Sequence, residues 1–505
     1  MILIVEAATV VVSPSVTHSP GIIIADRSSG LIIGHHHGQV SDLGVDTELE
    51  GAPTGSKHVF NLPQEQPEWL SAMLAGRNAE DEIQFEFVRH NGILVPGFVD
   101  IHTHGVGGSL DVMKYWHHVD FNRDKYARAG TTSFLATVVF DEDDLETSYK
   151  SCDMLRDTAW LDGKGAVVEG IHAEGPIVAT LGGLPNTMSL VEKDDQWFWN
   201  FIQRIHGTEG AVKMMTISPS CDADRDFSRF KLLCKANIVP CLGHDKICTE
   251  AQILNALRVG SDNGFGRFHL THAFNVQVFH HRECGLANIA FLARFPMLPQ
   301  YADLLLPSVE LIGDGMHVSP IVLQSVADAR NVKDWCMITD AISEPVPKKK
   351  LSYAGSRVAQ VSDDGKCVEC CDLHDPSIMK LCGSSTTMLE NFRKCVQVFG
   401  LSLSEAVAVR KLTTLSTLLS TAIATTSSHF CCVGMFSQQA CSTTPSHIAR
   451  LDHVVGSLES GRRANFIFLT LDDATGNGHD ATSGVISLQQ VWIGSQCYFL
   501  REQAL

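Results

Sequence analysis

The sequence has no long basic run. Its 39 Lys and Arg residues stand against 57 Asp and Glu, a formal net charge of −18. That balance argues against nucleic acid or an anionic membrane as a main partner, and an anionic substrate would need a local cationic pocket. No uninterrupted apolar stretch reaches spanning length, so no transmembrane helix is expected. Met1 to Val12 is apolar but carries Glu6 and has no basic segment before it, which reads as a strand and not a signal peptide. The 16 cysteines are sparse over 505 residues and sit singly in apparent strands and helices, as at Cys234, Cys241 and Cys336. Such thiols suit a reducing compartment, and the expected location is cytoplasmic. Cys370-Cys371 and Cys431-Cys432 lack Cys-x-x-Cys spacing, which speaks against a structural zinc knuckle.

What is present is apolar content of 44%, enough for one large α/β domain with a smaller appendage. Gly21–Asp26 and Leu31–Gly34 flank the turn Arg27-Ser28-Ser29-Gly30, a hairpin pattern. His35-His36-His37 follows and reads as a solvated loop in preference to a metal site. Residues 62–90 read as a polar surface excursion. From residue 93, strand-like runs recur at Leu94–Ile101, Thr132–Val139, Ala166–Ile171, Val212–Ile217, Ile238–Leu242, Phe268–Leu270, Val309–Ile312 and Trp335–Ile338. Helical stretches separate them, such as Asp141–Thr158 and Thr249–Gly260, the latter with a Thr cap and a Gly stop. Eight strands alternating with helices predict a (β/α)8 TIM barrel. A doubly wound sheet is the second choice, but no Gly-x-Gly-x-x-Gly follows the first strand.

Residues 343–380, with Lys348-Lys349-Lys350, read as a β excursion over the barrel mouth, the lysines being a solvated loop. Helices are expected at Thr386–Phe399 and Ser404–Thr425. The expected organisation is 1–92 as the N-terminal part of a small β-sandwich domain, 93–420 as the barrel, 421–450 as an insertion, and 451–505 as the C-terminal part of the β domain.

Working residues of such barrels sit at the C-terminal strand ends. There the first strand offers His102 and His104, the third Glu174, the fifth His244, the sixth His272 and the eighth Asp340. A lone strand-end His or Asp is ordinarily a hydrogen-bonded core group or a helix cap. Six such groups converging on one mouth would strand buried polarity unless a cation held them. The set suits two divalent ions, His102 and His104 on one, His244 and His272 on the other, Glu174 between. Zinc leads, and iron, manganese or cobalt fit the same donors. Asp340 is placed to take a proton from water and return it to a leaving group, which describes hydrolysis of an amide-like bond.

Several stretches resemble the amidohydrolase superfamily and, within it, the N-acetylglucosamine-6-phosphate deacetylases. They are Pro96–Gly105, His172-Ala173-Glu174-Gly175-Pro176, Leu242-Gly243-His244, Thr271–Asn275, His280-His281-Arg282-Glu283-Cys284-Gly285, Gly313–His317 and Thr339-Asp340-Ala341. The resemblance implies Glu174, His244 and His272 as ligands of a retained metal, with Asp340 as general acid/base. It also implies Asn275, Val276, Arg282, His317 and Gly383 as contacts to an amino sugar phosphate, and a homodimer. A guanidinium at Arg282 suits a phosphate in an otherwise acidic protein. In this branch a loop His after Glu-Gly-Pro helps orient the acetamide carbonyl, but Ala179–Asn186 contains none. The competing readings are a hydrolase of cyclic amides and a non-catalytic scaffold. A bridging carbamylated lysine would stand at the end of the fourth strand, where Val212-Lys213-Met214-Met215-Thr216-Ile217 has its lysine near the start. A scaffold relative would typically have lost ligands that are all present here.

Overall fold

The structure, a computed structural model, describes the chain apart from residues 44–56, 62–66, 76–83, 159–161, 354–356, 372–374, 376, 399–437, 473–484 and 501–505. Eight parallel strands in sequence order make one sheet: Phe98–Thr103, Thr131–Val139, Val167–Glu174, Val212–Ile217, Val239–Leu242, His269–Leu270, Ser308–Ile312 and Trp335–Ile338. Just past the eighth strand, Asp340 N–H donates to His102 O (2.9 Å) and His104 N–H to Ala341 O (2.9 Å), so the last strand meets the first. The expected TIM barrel is what forms.

Helices lie between the strands where the sequence signals them. Asp144 caps Leu145–Arg156 by accepting from Thr147 N, and Thr249 with Gln252 forms a reciprocal capping box on Glu250–Asp262. The strands are nearly continuous apolar runs because helices cover their outer faces. Lower inside the barrel, Ile101, Met214, Cys241, Ile312 and Ile338 form one cluster with Ile448, Leu451 and Val455. Ser442 Oγ donates to Gly97 O (2.7 Å) and Thr444 Oγ1 to Val332 O (2.9 Å), both just before a barrel strand begins. Residues 438–455 therefore seal the N-terminal end. The remainder of the expected insertion, and the expected helix Ser404–Thr425, lie outside the described residues.

The first barrel strand differs from expectation. Leu94 to Pro96 belongs to a different strand, Gln84–Pro96, which pairs with Phe466–Asp472. Gly97 makes the break: a Cβ there would lie 2.1 Å from Thr132 Oγ1, so only glycine lets the two strands pass so closely. The Gln84–Pro96 strand, part of the stretch read as a surface excursion, is central to a nine-stranded sheet built from both chain ends. In that sheet Ile2–Ser13 buries both faces, Leu3 and Val5 in one apolar cluster, Ile2 and Ile4 in another. The hairpin turn closes with Gly30 N–H donating to Asp26 O (2.8 Å) at φ 69°. His35, His36 and His37 are the end of the strand Leu31–His37, not a loop. His35 Nδ1 lies 2.9 Å from His18 Nε2, and His36 stacks on Trp69.

Over the barrel mouth sits a four-stranded antiparallel sheet, Lys350–Tyr353, Arg357–Val361, Cys367–Cys371 and Met379–Ser384. Its last strand is tied to the eighth barrel strand's exit by Ser384 N–H to Asp340 O (2.8 Å) and Ile342 N–H to Ser384 O (3.0 Å). Lys348 and Lys349 pair with Asp363 and Glu344. Among the described residues no cysteine forms a disulfide, and no helix is long and apolar enough to cross a membrane.

Candidate metal centre

Four ring nitrogens and two carboxylates from five barrel strands meet at one point. Glu174 lies in the middle: its Oε1 is 3.1 Å from His244 Nε2 and 3.0 Å from His272 Nε2, and its Oε2 is 3.3 Å from His104 Nε2. Asp340 Oδ1 lies 3.0 Å from His104 Nε2 and 3.6 Å from His102 Nε2. All six side chains are buried.

The backbone is bent to achieve this. His244, His272 and Asp340 have φ of 52°, 23° and 48°, the left-handed region that costs a non-glycine residue about 1–3 kcal/mol. Each stands two residues past the end of a barrel strand, at the mouth. Strain of this kind persists only where the surroundings over-determine it, and it concentrates at functional sites.

Burial opposes the charge on Glu174, but His102, His244 and His272 outweigh it and hold its carboxyl well below the usual range. Burial likewise opposes ionisation of Asp340, and His104 with His102 pulls its carboxyl down. Burial disfavours a charged His102 ring, yet Glu310 and Glu174 lift it well above its ordinary value. The pocket is thus a set of ionised acids demanding positive charge, which protons or divalent ions can supply.

The donors fit metal. His244 Nδ1–H donates to Thr180 O (2.9 Å), which leaves Nε2 as a lone pair, although it stands 3.0 Å from His272 Nε2. His102 Nε2 is buried and has no hydrogen-bond partner. The ligand atoms form two overlapping trios, His102–His104–Glu174 and Glu174–His244–His272, sharing Glu174.

The residues expected to touch substrate fall into two groups. The side chain of His317 is buried beside the centre: its Nδ1 is 2.6 Å from Asp314 Oδ2, its Nε2 has no partner, and the charge of Asp340 acts on it. Gly383, at φ 155°, backs onto Asp340, and a Cβ there would lie 3.0 Å from Asp340 O. Asn275, Val276 and Arg282 lie further out, on the turns after the sixth strand. Val276 touches the position of Gly182 in the loop that lacks a His. Arg282 is exposed, donates Nε–H to His281 Nε2 (3.1 Å), and has no acidic partner among the described residues.

Two contributors escaped the sequence reading. Thr180 is read only through its carbonyl, which no side-chain pattern reveals. Glu310 is fully buried in the seventh strand, with its Oε1 2.6 Å from His102 Nδ1. An acidic residue inside the apolar run Val309-Glu310-Leu311-Ile312 was the available signal. Lys213 donates to Gly210 O (2.9 Å) at the start of the fourth strand, away from the mouth, so it cannot bridge ions there.

No protein-family model matches the chain. Among curated proteins it is 27% identical over 257 residues to an N-acetylglucosamine-6-phosphate deacetylase of Bacillus subtilis, covering 50% of this chain and 59% of that one. An N-acetylgalactosamine-6-phosphate deacetylase of Escherichia coli O157:H7 is 24% identical over 417 residues, covering 80% and 87%. The match to the B. subtilis protein thus spans less than two thirds of its length. Among solved structures, the chain resembles the N-acetylglucosamine-6-phosphate deacetylase of Mycobacterium smegmatis with TM-score 0.65 at 18% identity, covering 98% and 99% of the two chains. The Thermotoga maritima deacetylase gives 0.60 at 19%, covering 99% and 100%. The B. subtilis relative carries the name of the branch that the motifs resemble, the E. coli relative that of the galactosamine epimer, and the structures share the fold.

Proposed function

We propose that this protein hydrolyses the acetamide of an N-acetylhexosamine 6-phosphate, N-acetylglucosamine 6-phosphate first, releasing acetate and the amino sugar phosphate. The observation that carries the reading is the buried convergence of His102, His104, His244 and His272 on Glu174, with Asp340 beside them, in a chain whose curated relatives are named for this chemistry.

His102, His104, Glu174, His244 and His272 would hold one or two divalent ions, zinc by preference. Such ions supply Lewis acidity, polarising a carbonyl and lowering the pKa of water at the site. The protein's own residues do the rest. Asp340, kept ionised, accepts the proton of the attacking water and delivers it to the departing amine nitrogen. Gly383, without a side chain, lets its strand pack against the Asp340 backbone, and His317, held by Asp314, presents its free Nε2 to the sugar. Asn275 and Val276 flank the sugar, and Arg282 takes the phosphate, two N–H groups to two oxygens. The loop 179–186 has no His, so an ion that His102 and His104 would hold would supply the polarisation of the carbonyl.

A homodimer in the cytoplasm completes the reading. Exposed apolar side chains on four loops of the same rim, Leu110, Ile247, Phe279 and Met316, support a subunit contact there. The test is acetate release by zinc-loaded protein from N-acetylglucosamine 6-phosphate, its galactosamine epimer, unphosphorylated N-acetylglucosamine, and a cyclic amide. Release from a phosphorylated sugar alone is expected. Turnover of the cyclic amide in its place overturns the reading.

A further inference from the structure

We infer that Glu310 is the positioning residue that sets metal affinity at this centre, by fixing two ligands from different strands at once. The inference rests on reading His102 and His272 as metal ligands.

A carboxylate only accepts hydrogen bonds. Glu310 Oε1, 2.6 Å from His102 Nδ1, therefore holds a ring proton on Nδ1 and leaves Nε2 as the nitrogen that can give up its proton to a metal. That Nε2 is the partnerless atom facing Glu174 and Asp340, at 3.5 and 3.6 Å. The same oxygen accepts the backbone N–H of His272 (2.8 Å), and the Glu310 carbonyl accepts that of Ala273 (2.9 Å). His272 has φ 23°, a conformation needing outside support, and Glu310 supplies two of the bonds that hold the turn.

The second oxygen is anchored in turn. Oε2 lies 3.0 Å from His269 Nε2, and His269 Nδ1 lies 2.8 Å from Ser308 Oγ. A buried charge with several hydrogen-bonding partners is held rigidly, and it has no room to relax if one ligand drifts. His102, His172 and Glu310 also lie close enough to suggest a further cation site. Hydrogen bonds use up that trio: His172 donates Nδ1–H to Ile101 O (3.1 Å), and its Nε2 accepts from Thr216 Oγ1 (3.0 Å). Glu310 thus acts on metal through the ligands and does not join them.

Carboxylates behind metal-binding histidines typically account for about 10–100-fold in affinity. The test is chelator competition for Zn2+ and Co2+ on the full-length protein, with thermal melts of each metal-free form and the visible absorption of the Co2+ form. Glu310→Gln keeps the shape. Its amide oxygen can still face His102 and His272, while its NH2 faces a His269 that changes tautomer against Ser308. Loss of about tenfold in affinity is expected, and up to about 100-fold for Glu310→Leu, with an altered Co2+ spectrum in both. Glu169→Gln is the control: it removes a buried carboxylate paired with Arg463, away from the centre, and should lower the melting temperature without touching affinity. If Glu310→Gln folds and binds both ions as tightly as wild type, with an unchanged Co2+ spectrum, the inference is wrong although the metal reading stands. If the wild type binds neither ion, the metal reading falls and takes this inference with it.

Discussion

Replacing Asp340 by Asn separates proton transfer from metal binding. Asn is the correct probe because the position has φ 48°, which Asn tolerates better than other residues with a side chain. Ala would add backbone strain to the lost function. Asp340 is outside the trio Glu174–His244–His272, so that trio should keep its ion. What Asn lacks is basicity, and positioned proton transfer is worth about 10²–10⁴ in rate, or about 3–5 kcal/mol of barrier. Acetate release measured beside metal content should therefore show kcat down by at least about a hundredfold with metal retained. Because the Asp340 carboxyl sits below its usual range, the wild type should hold its activity through neutral pH without an acid limb from this group. Turnover within a few-fold of wild type in the Asn variant would remove Asp340 from its role.

Glu174→Gln should lose metal at both trios, since they share this carboxylate, whereas His104→Ala should lose it only at one; metal-to-protein ratios decide the matter, and equal ratios would contradict the bridging geometry. Arg282→Ala should raise KM for the phosphorylated sugar by about 10–100-fold, the loss of a charge-assisted contact of about 1.5–3 kcal/mol, and leave kcat and the unphosphorylated sugar nearly unchanged. Stability should fall in acid through His90, whose ring is buried, accepts from Gly92 N (2.9 Å) and stacks on Phe468. Burial lowers it from 6.5 to about 4, so the unfolded chain takes up a proton that the folded one refuses. The stability is intact above pH 6.5 and is lost toward pH 4 by up to about 3 kcal/mol. Urea melts of wild type and His90→Gln at pH 7 and pH 4.5 should show a steeper loss in wild type, because His18 and His172, also lowered by burial, keep part of the slope in the variant.

The barrel was legible because its strands are short apolar runs at regular spacing, and because a strand that ends in His or an acid announces itself. His102, His104, Glu174, His244, His272 and Asp340 come together for that reason. Gly97 was not legible as a break, since the apolar pattern runs straight through it and only the nearness of Thr132 shows why a glycine stands there. The strand Gln84–Pro96 looked like surface because its polar residues pair within the sheet region: Glu86 with Arg27, and Arg89 with Glu6. His35 to His37 looked like a loop because histidine favours neither state, and strand pairing with Gly21–Ile23 decided it. Glu310 was hidden by distance, its side-chain partners lying 38 to 208 residues away.

The most direct measurement is anomalous diffraction at the zinc edge from crystals grown with Zn2+. The account predicts scattering peaks on either side of the Glu174 carboxylate, each about 2 Å from a pair of imidazole nitrogens, His244 with His272 and His102 with His104. A well-ordered centre with no peak beside Glu174, or zinc bound only elsewhere on the protein, would contradict it.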